Sequence, residues 1–96
     1  MTSVLDVPRR TLGVPIRRVA GRLVVGVEAD ALEFSEVGSL IFTSANGRNR
    51  VVDIVHIVAA AYECETAEVY PDVVEFLGEL TAGGIVEWSS APAAAR

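Results

Sequence analysis

Lysine is absent from these 96 residues, and there is one cysteine, one histidine and only six aromatic side chains. Cys64 alone closes no internal disulfide, and with a single His56 it cannot assemble a zinc site. It is read as a buried or half-buried free thiol. A nucleophilic Cys64–His56 pair has no third group to orient it and is set aside. No GxGxxG or GxxxxGK[ST] stretch cradles phosphates, and no CxxC or HExxH supplies metal ligands. Ser residues occur without a His-and-acid constellation around them. No apolar run approaches the ~18–20 residues of a membrane span, and residues 1–10 lack the apolar core of a signal peptide. The expectation is therefore a cytoplasmic protein that is not an enzyme, with no cofactor, no metal and no membrane partner.

The composition is otherwise that of one small domain. The apolar share is 51 %, and with so few aromatics the core must be built mostly of Val, Leu, Ile and Ala. The net charge of −5 conceals a split: residues 1–50 carry seven Arg against five acids, or +2, while residues 51–96 carry one Arg against eight acids, or −7.

The best-defined stretch is 66–88, TAEVYPDVVEFLGELTAGGIVEW. Val69, Val73, Phe76, Leu77 and Leu80 recur at three and four residues and share a helix face, with Glu68, Asp72, Glu75 and Glu79 on others. Gly83 and Gly84 end the helix where a left-handed residue is wanted. Pro71 lies past the first turn, so a kinked or loose helix start is expected. Residues 51–63 predict a helix with Val51, Ile54, Val55, Val58 and Ala59 on its buried side. Ser35 caps a further helix running to about Ala45, with Glu36 in its first turn and Val37, Leu40 and Ile41 inward. Upstream, VPIRRV (14–19) and LVVGV (23–27) flank a Gly21-Arg22 turn and predict a hairpin. A turn at 28–30 leads to a third short strand, residues 31–34. The fold class expected is α+β: a three-stranded antiparallel sheet followed by three helices, like a winged helix-turn-helix. Residues 1–12 are expected to be a flexible arm, 13–88 the domain, with 85–88 an extended tail lying along it, and 89–96 disordered.

Two binding functions follow from that outline. A winged-helix regulator would place a helix in the major groove of DNA, but helix 66–82 holds four acids and no Arg, which phosphates repel. The alternative is peptide capture. An edge strand offers unpaired N–H and C=O groups to an added strand. Ala31, Leu32, Glu33 and Phe34 would supply that edge. Val73, Phe76 and Leu77 would join Leu32 and Phe34 in apolar pockets, and Asp72, Glu75 and Glu79 would form an acidic rim. The aliphatic members of this set fit an ordinary core equally well.

The order of elements resembles the PqqD-like family, the recognition elements for precursors of ribosomally made, post-translationally modified peptides. Three stretches carry the resemblance: LEFSEVGSLIF (32–42), VVDIV (51–55) and DVVEFLGELTAGGIVE (72–87). Tyr70-Pro71 departs from the charged or polar residues that the family usually has early in its third helix. The resemblance implies a domain whose third strand and third helix clasp a leader peptide and present it to a separate leader protease or modifying enzyme. Lasso-peptide pathways, whose leaders often carry Tyr-x-x-Pro, are favoured. The implied alternative is a peptide chaperone of the pyrroloquinoline quinone type, serving a radical-SAM enzyme.

Overall fold

The computed structural model describes residues 5–26 and 31–89. Five strands and three helices follow in the order β1 (Val7–Arg10), β2 (Ile16–Val19), β3 (Arg22–Val25), β4 (Leu32–Glu33), α1 (Glu36–Ser44), α2 (Val51–Tyr62), α3 (Thr66–Ala82) and β5 (Val86–Ser89). The α+β class and the sheet-then-helices order are as the sequence predicts. Strands β2, β3 and β4 form an antiparallel sheet in that order, and β1 pairs antiparallel with β5 in a second, two-stranded one.

That second sheet corrects the expected arm. Residues 7–10 do not hang free: Pro8 lies opposite Trp88 and Arg10 opposite Val86, and Val7 and Pro8 are buried. The closing segment 85–88 leaves a strand edge that the chain start fills, a long-range pairing invisible to local periodicity. Across it Arg9 meets Glu87 at 2.6 Å. Residues 1–4 and 90–96 of the expected termini, and the turn expected at 28–30, lie outside the described residues.

The β2–β3 turn is Ala20-Gly21, one residue earlier than predicted. Both have positive φ, 53° and 82°, the pattern of a two-residue hairpin turn whose twist matches its strands. Arg22 then enters β3 opposite Val19.

Helices α2 and α3 follow their stripes closely, whereas in α1 Ile41 is buried as expected, Leu40 only partly, Val37 is exposed and Phe42 turns inward instead. Val51, Ile54, Val55, Val58 and Ala59 of α2 are all buried, as are Val69, Val73, Leu77 and Leu80 of α3. Ser35 Oγ accepts from the Gly38 N–H at 3.1 Å and caps α1. The Arg50 N–H donates to Asp53 at the start of α2, and the Glu65 N–H to Glu68 at the start of α3. The expected loose start of α3 is absent. The helix runs continuously from Thr66 through Pro71; Ala67, whose carbonyl loses the bond that Pro71 cannot donate, is exposed to water. Gly84 supplies the left-handed residue after α3, at φ 75°.

The core has two parts. One lies among the helices and contains Ile41, Val51, Ile54, Val58, Val69, Val73 and Leu77. The other joins the sheets to α1 and α3 through Leu23, Val25, Phe34, Phe42, Leu80, Ile85 and Val86. Phe76 and Trp88 pack against both. Among the described residues no helix is long and apolar enough to cross a membrane.

Candidate functional site

β4 is an edge of the three-stranded sheet, with β3 on one side only. It is shorter than expected, two residues instead of four. The Phe34 N–H still donates to the Leu23 carbonyl at 2.9 Å. Antiparallel ladders alternate, so Leu32 and Phe34 bond inward and the N–H and C=O of Glu33 point to the open side. Leu32 is 44 % exposed. Glu33 stands on the face away from the helices, 3.5 Å from Arg22 Nε. Ala31 is half-buried.

The chain passes from β4 directly into α1, and a depression of about 260 Å³ opens there between α1 and α3. Ser35, Val37, Gly38 and Ile41 line one wall and Asp72, Glu75, Phe76 and Glu79 the other. Spacings of three and four residues stack Asp72, Glu75, Phe76 and Glu79 along one side of α3. The three carboxylates are exposed and Phe76 is half-buried. The wall thus has an apolar floor and an acidic rim.

The structure separates the expected site residues into two groups. It brings Asp72, Glu75, Phe76 and Glu79 together beside the end of β4. It removes Phe34, Val73 and Leu77 as surface pockets. Phe34 is 5 % exposed and Val73 and Leu77 are essentially inaccessible, because the helices need every residue of their inner stripe to close the core. Phe34 lies between two other rings, edge-on to Phe42 at 5.3 Å and to Phe76 at 5.4 Å. It supports Phe76 from below instead of meeting a ligand.

Sequence reasoning missed the α1 wall. Gly38 is its critical member: a Cβ there would lie 3.0 Å from Phe76 Cζ, so only glycine lets the ring lie against the helix unshifted. The signal was a glycine in the first turn of a capped helix, where nothing in the local conformation asks for one.

Cys64 is exposed, not buried, and its thiol donates only to the Tyr62 carbonyl, at 3.4 Å. His56 is also exposed. Among the described residues, no three His, Cys, Asp or Glu side chains gather as metal ligands would.

An open sheet edge running into a shallow cleft, walled by two helices, defines a small α+β domain with a groove beside its sheet. The chain belongs to the PqqD family: the family model described as coenzyme PQQ synthesis protein D (PqqD) matches residues 21–86, more than two thirds of the chain. In fold it is similar to the solution structure of the PqqD truncation of Methylobacterium extorquens PqqCD, described as a functional and stand-alone recognition element for ribosomally synthesized and post-translationally modified peptides. The two share 24 % sequence identity at a TM-score of 0.75, over 91 % of this chain and 95 % of that one. No curated protein matches the chain.

Proposed function

We propose that this chain is a non-catalytic recognition protein. It captures the leader of a ribosomally made precursor peptide by strand addition to β4 against α3, and presents it to a separate leader protease or modifying enzyme. The observation that carries this reading is Phe76, held partly exposed against Gly38 and Phe34 at the floor of a cleft that continues an open strand edge. Main-chain bonds from Glu33 supply sequence-independent affinity, and the cleft supplies selectivity. Asp72, Glu75 and Glu79 favour a leader with basic or donor groups near the strand it adds. The recognition-element role described for the Methylobacterium protein supports the same direction.

A lasso-peptide pathway remains the favoured setting. The family description, which names PQQ synthesis, favours the second reading, a peptide chaperone for a radical-SAM enzyme. Labelled leaders of the two kinds, one with Tyr-x-x-Pro and one from a quinone-precursor peptide, are titrated against the protein at physiological salt. One should bind with Kd on the order of 1 µM or tighter, and Asp72→Lys with Glu75→Lys should change both the affinity and its salt dependence. Binding of neither leader, with tight and steeply salt-dependent binding of duplex DNA instead, would overturn the reading.

A further inference from the structure

The three-stranded sheet has a second open margin. β2 pairs only with β3, and all four of its residues are exposed. Ile16 and Val19 leave 37 % and 47 % of their surface in water. Arg17 and Arg18 have no ion pair among the described residues. The Gly26 N–H donates to the Pro15 carbonyl at 2.9 Å, which sets the alternation along β2. Arg17 and Val19 bond to β3, while the N–H and C=O of Ile16 and Arg18 point outward. An extended, basic and partly apolar strand with free outward groups is the kind of segment that the acidic cleft beside β4 would accept.

We propose that β2 of one copy of this chain adds antiparallel to β4 of a second copy and fills its cleft. The inference rests on the reading of that cleft as a strand-accepting groove. Outward-bonding residues must face each other across an antiparallel pair, which places Arg18 of one copy opposite Glu33 of the other. The register then follows residue by residue. Val19 lies opposite the exposed Leu32, an apolar cross-strand pair, and Arg18 meets the Glu33 carboxylate on the outer face. Arg17 lies opposite Phe34, on the helical side, where Asp72 and Glu75 rim the cleft. The second copy is chosen over other occupants because the two surfaces are complementary within one sequence: Arg17 and Arg18 on β2, and Glu33, Asp72, Glu75 and Glu79 on or beside the accepting edge.

Such a contact is head-to-tail, so each pair keeps one β2 edge and one cleft unfilled and the association is open-ended. It also occupies the groove assigned to the leader. Leader binding and self-association therefore compete, and a concentrated stock of the protein binds leader more weakly than a dilute one.

Sedimentation velocity of the full chain tests this from about 10 µM to about 1 mM, at low salt and at about 0.5 M salt. The wild type should associate with a dissociation constant on the order of 100 µM at low salt, as suits a small interface, and about tenfold more weakly at high salt. Two variants make the surfaces repel: Arg17→Glu, and Asp72→Lys with Glu75→Lys. Each alone should be monomeric, and their equimolar mixture should associate. If the β2 variant does not fold, Arg18→Glu and Glu33→Arg provide the same mixing test. A wild type monomeric throughout, or a mixture that stays monomeric, overturns the proposal. A chain that is monomeric yet binds leader refutes this inference alone. A chain that associates by the charge-swap rule yet takes no leader refutes the leader reading alone.

Discussion

The helical part of the core is closed by aliphatic side chains from α1, α2 and α3 and the turn that ends α1. The sheet-side part is different. Strands of two to four residues frame it, three phenylalanines fill its centre or margin, and one of these, Phe76, reaches the surface. The first region can only hold the molecule together. The second has a side that stability alone does not need to leave open. Phe34 and Phe76 make the contrast within a single ring contact: one is 5 % exposed and the other forms the floor of a cleft.

The sharpest way to break that contrast is to truncate each ring. Phe34→Ala removes a buried side chain that two rings and β3 enclose, and should lower unfolding stability by about 3–5 kcal/mol. For a small domain that is a large share of the whole. Phe76→Ala should cost less, about 2–3 kcal/mol, because part of its surface is already in water. It should nevertheless weaken leader binding at least as much as any other single truncation in the cleft. Urea unfolding of both variants, with leader titration of the folded species, checks this. Equal losses of stability would mean that Phe76 is simply core.

A smaller effect is expected at Gly38. Alanine gains about 1 kcal/mol of helix propensity there but brings a Cβ to 3.0 Å from the Phe76 ring, so its net stability change should lie within about 1 kcal/mol of zero. Valine cannot be relieved by so small a shift and should cost about 1–3 kcal/mol. Both should reduce leader affinity by moving the ring. Retained affinity in Gly38→Ala would show that the position of the ring is not what the cleft uses. Removing the α1 cap is simpler: Ser35→Ala should cost about 1 kcal/mol in thermal or urea unfolding.

The helices were legible because a 3.6-residue repeat is local. Val51, Ile54, Val55 and Val58 announce their own burial without knowledge of any other element. The same signal could not say whether Phe76 was core or cleft, since it lies on the edge of the stripe and its exposure depends on Gly38 of another helix. The strands were harder. β1 could not be read from Val-Pro-Arg-Arg, because its pairing with β5 spans nearly the whole sequence and a Pro in it argues against a strand. For β4 the sequence predicts twice the observed length, because four residues of good β pattern do not reveal how many of them find a partner. Pro71 does not break α3, because the bond it cannot donate would go to Ala67, an exposed residue. The acidic rim was legible as composition, and its alignment with Phe76 followed from spacing alone, but its opposite wall needed the fold.

The weakest effect expected lies far from the cleft, at the start of α2. Arg50 holds the Asp53 carboxyl below its usual range, first through its side-chain hydrogen bond and then through the backbone N–H. The sign follows from which state binds the proton more tightly. The unfolded chain keeps an ordinary aspartate, so it takes up the proton first as pH falls. The contribution of this contact is therefore fully present above about pH 4, the ordinary range of aspartate, and is lost as pH drops through the lowered folded-state value. Because the pair is solvent-exposed, its share of the acid transition is small. Asp53→Asn should flatten the unfolding profile slightly below pH 4 and leave leader binding unchanged, since α2 contributes no residue to the cleft wall. A change in leader affinity with Asp53→Asn would tie the two ends of the molecule together and undo the separation of a closed helical core from an open sheet side.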